Sequence, residues 1–353
     1  MWSYILKRLL LMIPTLFGIL LITFIVIQFV PGGPVEQMVA LLKGREAGGG
    51  EVGGGVAAAA GVAGYRGRQG VDAAKVEEIK KLYGFDKPPT ERFAKMLGQF
   101  ARFDLGRSFF HNKDVSQLIK EKLPVSISLG MWTFVLTYLI SVPLGIAKAV
   151  RAGSAFDTMT TVVVLIGYAI PPFVLGVVLL VYFAGGNFFQ WFPLRGIVSS
   201  NWHELDLFHK VTDYLWHITL PVTALVVGSF ALITILTKNS VLEEIRKQYV
   251  MTARAKGVDE RRVLWRHVFR NAMIPIMTGF PAAFVAAFFG GSLLIETLFS
   301  LDGLGLLSYE SVIRRDYPVV FGSLFVYTLI GLLTNLLRDL TYVWVDPRVK
   351  YFD

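Results

Sequence analysis

Residues 249–275 read YVMTARAKGVDERRVLWRHVFRNAMIP, six lysines and arginines in a stretch flanked by uncharged apolar runs. The flanks decide its meaning. Of the 353 residues, 54% are hydrophobic and 17% charged, and the mean hydropathy is +0.55, a balance too apolar for a water-soluble domain. A bilayer core needs about 20 apolar residues in helical form. Six uncharged runs meet that need: 9–30, 125–147, 158–184, 214–237, 272–295 and 318–337. The basic stretch therefore joins the fourth expected span to the fifth. The first run follows Lys7 and Arg8 and leads into PGGP with no small-x-small cleavage pattern, so it reads as an uncleaved span rather than a signal peptide. The expected fold class is an all-α membrane protein with six transmembrane helices.

Charge sets the expected orientation. With the N-terminus in the cytoplasm, the inside segments 1–8, 148–157, 238–271 and 338–353 carry 16 Lys/Arg, whereas the short outside loops 185–213 and 296–317 carry 4 against 7 acidic residues. The positive-inside rule then favours both termini in the cytoplasm. Segment 31–124 holds 15 basic and 11 acidic residues, but loops above about 60 residues translocate largely regardless of charge. It is expected to be external, in the periplasm. Its Gly/Ala-rich part, 46–70, is too poor in bulky side chains to offset ordering and is expected to be a mobile insertion. Three amphipathic helices are expected beyond it: from Asp72 with Val76, Ile79 and Leu82; from Thr90 with Phe93, Leu97, Phe100 and Phe103; and from Asp114 with Val115, Leu118 and Ile119. The chain thus divides into four parts. They are 1–30, the N-terminal end and first helix; 31–124, the external segment; 125–345, a five-helix core containing loop 238–271; and 346–353, a cytoplasmic tail.

Several chemistries are disfavoured. The lack of cysteine removes disulfides, thiolate metal sites and cysteine nucleophiles. HELDLFH at 203–209 spaces its histidines six apart rather than four, so no helical zinc site is read there, and no metal is expected. The Gly-Ser pairs at 228–229, 291–292 and 322–323 have no mid-span His or Asp to activate a serine, which argues against an intramembrane hydrolase; no catalytic residue is expected. The basic stretch has few stacking aromatics, so no nucleic acid is expected as a partner. Only His217 approaches a span, which disfavours the alternative of an ion-coupled secondary transporter. No G-x-x-x-x-G-K-[ST] occurs, so this chain is not itself a nucleotide-driven motor. Prolines in the spans permit kinks, and the tandem IPPF at 170–173 must bend or break the third span. Pro171 and Pro172, with Ser292 and Glu296 at the outer end of span five, are candidates for lining a substrate path. Glu296 reads more readily as an interfacial charge paired with a loop arginine such as Arg314.

The basic stretch itself breaks into an elbow. A helix over 241–256 places Leu242, Ile245, Tyr249 and Ala253 on one stripe, with Glu243 and Glu244 in its first turn and Arg254 and Lys256 in its last. Gly257 supplies a left-handed C′ position, and Asp259 is the candidate N-cap of a second helix through Val263, Leu264, His267 and Val268. The small, flat TARAKG part suits insertion into a partner's groove. By composition alone, a passive positively charged loop fits as well, and a helix lying on lipid is a third reading.

This elbow resembles the EAA loop of ABC importer permeases, in which a short coupling helix docks into an ATPase subunit. Thr252 and Ala253 take the two Ala positions and Gly257 the Gly, while Met251 replaces the Glu and Phe269-Arg270 the Leu-Pro, as in the dipeptide/oligopeptide permeases. FVPGGPVEQ, YGFDKP, FDLGRSFF, LPVSISLG, GYAIPPF, LWHITLP, LLIETLFSLDGLGLL, RRDYPVVFG and VDPR resemble that pattern in the same order, and FPLRG, TKNS and RKQYV are similar to its Yej-type branch. The resemblance implies a type I ABC importer permease fold and ATP-driven import of peptides and peptide-like antibiotics such as microcin C. It implies ATPase coupling through Tyr249, Thr252, Ala253 and Arg254, and through Ala255, Lys256, Gly257 and Asp259. The implied partners are a second homologous permease, two ATP-binding subunits or one fused ATPase, an extracytoplasmic peptide-binding protein, the peptide substrate and the lipid bilayer. No cofactor is implied in this chain, ATP and Mg being bound by the ATPase, and the implied location is the bacterial inner membrane.

Overall fold

A computed structural model of the chain describes residues 2–29, 86–185, 188–289 and 291–345. Among these the structure is helical, apart from an isolated bridge between Arg107 and Asp114. The helices are α1 (Trp2–Phe29), α2 (Pro89–Phe100), α3 (Val115–Val150), α4 (Ala155–Ala169), α5 (Pro172–Phe183), α6 (Leu207–Ile245) and α7 (Gln248–Ala255). They continue with α8 (Glu260–Ala272), α9 (Ile274–Phe289), α10 (Leu293–Leu298), α11 (Leu304–Ile313) and α12 (Tyr317–Val345). Ser3–Phe29, α3, α6 and Tyr317–Thr341 are each long and apolar enough to cross a bilayer, and α4 with α5 and α8 with α9 qualify as bent pairs. The six expected spans are thus accounted for, two of them bent.

The bend between α4 and α5 is 91°, and its cause is local. Ile170 precedes a proline and Pro171 precedes another, so both are pushed out of the helical region. They sit at ψ 117° and 135°. Neither proline has an N–H to donate, and the helix restarts only when Val174 and Leu175 donate to the Pro171 carbonyl at 2.9 and 3.1 Å. Single prolines at 14, 124, 143, 221 and 281 lie inside helices without ending them.

Several boundaries differ from expectation. The helix expected from Asp114 and the second span form one rod, α3, of 36 residues, about 54 Å long. The expected domain boundary at 124/125 therefore falls inside a helix. The helix expected from Thr90 begins at Pro89 and ends at Phe100, leaving Phe103 beyond it at φ 59°. Span five stops at Phe289, and Leu293–Leu298 forms a separate short helix. The 46–70 insertion, the helix expected from Asp72 and the 346–353 tail lie outside the described residues.

The chain forms two compact units. One comprises residues 15–117 and 310–325. There the apolar stripe of α2 meets other aromatics, with Phe93 5.1 Å from Phe24 and Phe100 5.2 Å from Phe325. The loop after α2 is pinned by Asp316, which is buried and accepts from the Ser108 hydroxyl and, at 3.0 Å, from the Phe109 N–H.

The other unit comprises residues 1–14, 118–309 and 326–353 and holds two apolar clusters. One is built on α6 and α10, around Ala224 and Ile295; the other lies at the opposite end of α6, around Val241 and Val250. In this unit α3 and α9 come so close that a Cβ on Gly130 would lie 1.6 Å from the Ala287 carbonyl oxygen. Gly130→Ala should therefore destabilise the protein by about 1–3 kcal/mol, whereas Gly279→Ala, with open space around it, should be neutral or stabilising. Thermal unfolding of the solubilised protein separates the two; equal midpoints would contradict the close approach.

Candidate functional site

α6 has 39 residues, about 58 Å of helix against about 30 Å of hydrocarbon, so its last turns carry the chain past the apolar run. The helix expected over 241–256 is two helices, which is a correction. α6 closes at Ile245 as the N–H groups of Arg246 and Lys247 turn back to the carbonyls of Glu243 and Glu244, each at 3.2 Å. Lys247 is extended, at ψ 149°, and α7 starts at Gln248. The buried Glu244 carboxylate gives the break its reason. It is held by the Lys247 ammonium and the Tyr249 hydroxyl, and the second of these, five residues on, is a partner that a continuous helix would carry to another face. Asn271 donates to the same hydroxyl at 3.0 Å. Burial, and then the Glu244 bond, push the Tyr249 phenol above its ordinary value, which keeps it a donor.

α7 sits on an apolar seat. Val250 and Ala253 turn inward against Ile146 and Ala149 of α3, Val241 of α6, and Val263 and Val268 of α8. Burying each of the three valines Val250, Val263 and Val268 contributes about 1.5–3 kcal/mol. The exposed fork of Arg254 on Glu260, at 2.8 and 3.0 Å, ties α7 to α8 but contributes only about 0–1 kcal/mol. The seat therefore dominates. Residues 263–268 adopt a π-helical turn, whose i→i+5 repeat brings Val263 and Val268 onto one buried face.

The end of α7 has the geometry expected from the sequence. Gly257 is left-handed, at φ 76°. Its N–H donates to Arg254 O at 2.9 Å and the Val258 N–H to Ala253 O at 3.2 Å, a Schellman closure. The Asp259 carboxylate then accepts from the Arg261 N–H at 3.1 Å and starts α8. Thr252, Arg254, Ala255 and Lys256 are exposed, as are Gly257 and Asp259, and Tyr249 is 37% exposed at the rim. Ala253 is different. At 8% exposure it is part of the seat, not of the outer face.

Farther along the spans, α3, α6 and α9 line a half-open cavity of about 430 Å³. Its hydroxyls come from Ser126, Thr133, Thr137, Ser229 and Ser292, Phe134 and Tyr138 supply aromatic wall, and no charged side chain lines it among the described residues. Of the four path candidates only Ser292 lines this space. Pro171 and Pro172 are exposed elsewhere. Glu296 is fully buried, and its expected roles need correcting. It accepts from the Leu306 N–H at 2.7 Å and the Ser292 N–H at 3.1 Å, with the Ser126 hydroxyl at 3.4 Å. Burial pushes this carboxyl up while those donors pull it down. It braces the cavity wall from behind, and Arg314 pairs with Glu310 instead, at 3.2 Å.

Sequence reasoning gave Glu244 only a place in a first helical turn, and it missed an ion cluster of Lys148, Asp157 and Lys238, whose two lysines count as charges of connecting segments. The one available signal was Ser154-x-x-Asp157, a capping pattern in which the Ser154 hydroxyl does accept from the Asp157 N–H at 3.3 Å.

Comparison with known proteins places the chain among transport permeases. The family described as binding-protein-dependent transport system inner membrane component matches residues 141–351, which include the bent span and the elbow. The peptidoglycan transport system permease protein YejB of Agrobacterium fabrum is 56% identical over 361 residues, covering 99% of both chains. The inner membrane ABC transporter permease protein YejB of Escherichia coli O157:H7 is 54% identical over 364 residues, again 99% of both. The oligopeptide transport system permease protein AppB of Bacillus subtilis is 31% identical over 352 residues, covering 99% of this chain and 100% of its own.

The seat makes neighbouring substitutions unequal. Ala253→Leu should overpack it and destabilise the elbow by about 1–3 kcal/mol, and Gly257→Ala should add roughly 1–2 kcal/mol of left-handed strain. Thr252→Leu, on the exposed face, should stay within about 0.5 kcal/mol. Hydrogen exchange over Gln248–Ala255 reads all three, and an Ala253→Leu chain exchanging like the unsubstituted one would contradict the buried seat.

Proposed function

The chain belongs to the binding-protein-dependent transport system inner membrane components, the permease subunits of ABC importers, and from that premise we propose that its cargo is peptide, including peptides derived from peptidoglycan. As such a permease it is a multi-pass inner-membrane protein and not an enzyme, and it works with a second permease, an ATPase and a binding protein. In the finer reading the second permease is a homologous but different chain. Two ATP-binding subunits, or one fused ATPase, hold ATP and Mg below the pair. An extracytoplasmic binding protein delivers the peptide, and both termini lie in the cytoplasm. The names of the two YejB proteins and of AppB, which speak of peptidoglycan and oligopeptide transport, support the cargo.

One observation carries the coupling step. α7 presents Met251, Thr252, Arg254 and Ala255 outward while Val250 and Ala253 hold its other face on the ends of three helices. A helix of that kind fits a cleft as a peg and moves as part of a solid body. Closure of the ATPase around ATP then pushes α7, and the push reaches the spans through the seat, tipping them between inward- and outward-facing arrangements. A cavity walled chiefly by aliphatic side chains and glycines, with five Ser/Thr hydroxyls, two aromatic rings and no charge among the described residues, suits uncharged peptide surface and discriminates little between acidic and basic side chains.

Two substitutions on the exposed face test this. Ala255→Trp should leave the chain in the membrane yet lower ATP-driven peptide uptake by about tenfold or more, the scale of a coupling free energy of 1–3 kcal/mol. Thr252→Cys, carrying a short bifunctional cross-linker, should capture the ATPase chain in membranes containing the whole transporter, and should resist an impermeant maleimide added to intact cells. Normal uptake by Ala255→Trp, or labelling of Thr252→Cys from outside, would refute the proposal.

A further inference from the structure

We infer that Asp157 is a positioning residue for transport, tying the first half of the bent span to the elbow so that movement of α7 reaches the α4–α5 bend. The inference rests on the ATP-driven reading above. Lys148, in the last turn of α3, is 1% exposed. Its ammonium donates to the Asp157 carbonyl at 2.7 Å and to the hydroxyls of Thr160 and Thr161 at 2.8 and 2.6 Å, with Asp157 Oδ1 at 3.1 Å. Lys238 reaches the same carboxylate from α6, 2.8 Å from each oxygen. The Gly153 N–H completes the shell, donating to Oδ2 at 3.1 Å. Three helices, α3, α4 and α6, therefore meet on one carboxylate.

Position gives the cluster its meaning. Ile146 and Ala149, on either side of Lys148, belong to the elbow's seat, as does Val241, three residues beyond Lys238. None of the described residues of α4 belongs to that seat. Farther up, α4 touches α6 through close apolar packing, as where Gly167 lies beside Val227, which sets the spacing of the helices but lacks the directionality of a charged pair. A carboxylate shared by two ammonium groups is directional, and breaking one of its bonds leaves charge in a poorly solvated place. A helix cap alone would need only Ser154 and Gly153. The convergence of two lysines from two further helices is what an N-cap does not explain, and what fixing α4 to the moving end of the bundle does.

The discriminating variant is Lys238→Met. Lys238 is 22% exposed, and its removal leaves Lys148 paired with Asp157 and both threonines, so no buried charge is orphaned. In proteoliposomes holding the whole transporter with its binding protein, Lys238→Met should assemble normally and hydrolyse ATP within about twofold of the unsubstituted complex, while uptake per ATP falls about tenfold. Lys238→Arg should restore that ratio. Hydrogen exchange at the start of α4 should quicken in Lys238→Met and not in Lys238→Arg. Unchanged uptake per ATP would overturn the inference. So would a loss of uptake only in proportion to lost assembly, which would make the cluster a brace and nothing more. If the unsubstituted complex imports peptide without hydrolysing ATP, the ATP-driven reading fails by itself, and the exchange of α4 still decides whether Lys238 and Asp157 hold it.

Discussion

The contact of Val250 and Ala253 with the ends of α3, α6 and α8 is the interaction on which the rest depends. A helix of eight residues is not stable alone in water, because nucleation costs more than so few hydrogen bonds return. α7 exists because its inner face is buried. The same contact converts a basic connecting segment into a solid protrusion, and the Schellman closure at Gly257 fixes where the chain turns back. Arg254 and Glu260 lie outside this core and add little beyond orientation.

What was legible in the sequence was what local chemistry decides. Uncharged runs of bilayer length announced the spans, tandem prolines announced the break at 170–173, and Gly257 and Asp259 announced the turn of the elbow. What stayed hidden depends on partners far apart in the chain. Charge order over 241–256 favours one continuous helix, and it yields where the buried Glu244 carboxylate takes the hydroxyl of Tyr249, five residues on, which an unbroken helix would turn to another face. Glu296 reads as a surface charge until the first turn of α11, which carries Leu306, folds over it and Ser126, 170 residues away, closes the other side. Lys148 reads as one more positive-inside residue, and its burial appears only when α4 packs beside it. Counting charges assigns a segment to a side of the membrane; it says nothing about whether each charge is wet.

These two buried carboxylates also explain how a bundle can be firm and mobile at once. Asp157 lies where α4 begins, near the elbow, and Glu296 lies beyond the far end of α9, behind the wall that Ser126 and Ser292 give to the cavity. Between these fixed points the helix faces around the cavity are apolar or carry hydroxyls. Directional bonds to a desolvated charge resist small displacements because partial loss of a partner is expensive, whereas apolar faces and hydroxyls bonded within their own helix, such as Thr133 to Leu129 O and Ser229 to Leu225 O, can repack without leaving a charge unpaired. An ordinary bundle can place its polar anchors anywhere. A bundle that must tip as a unit needs them at the ends, where force enters and where the path closes, and needs the middle free of them; the distribution of charge in this chain meets that requirement.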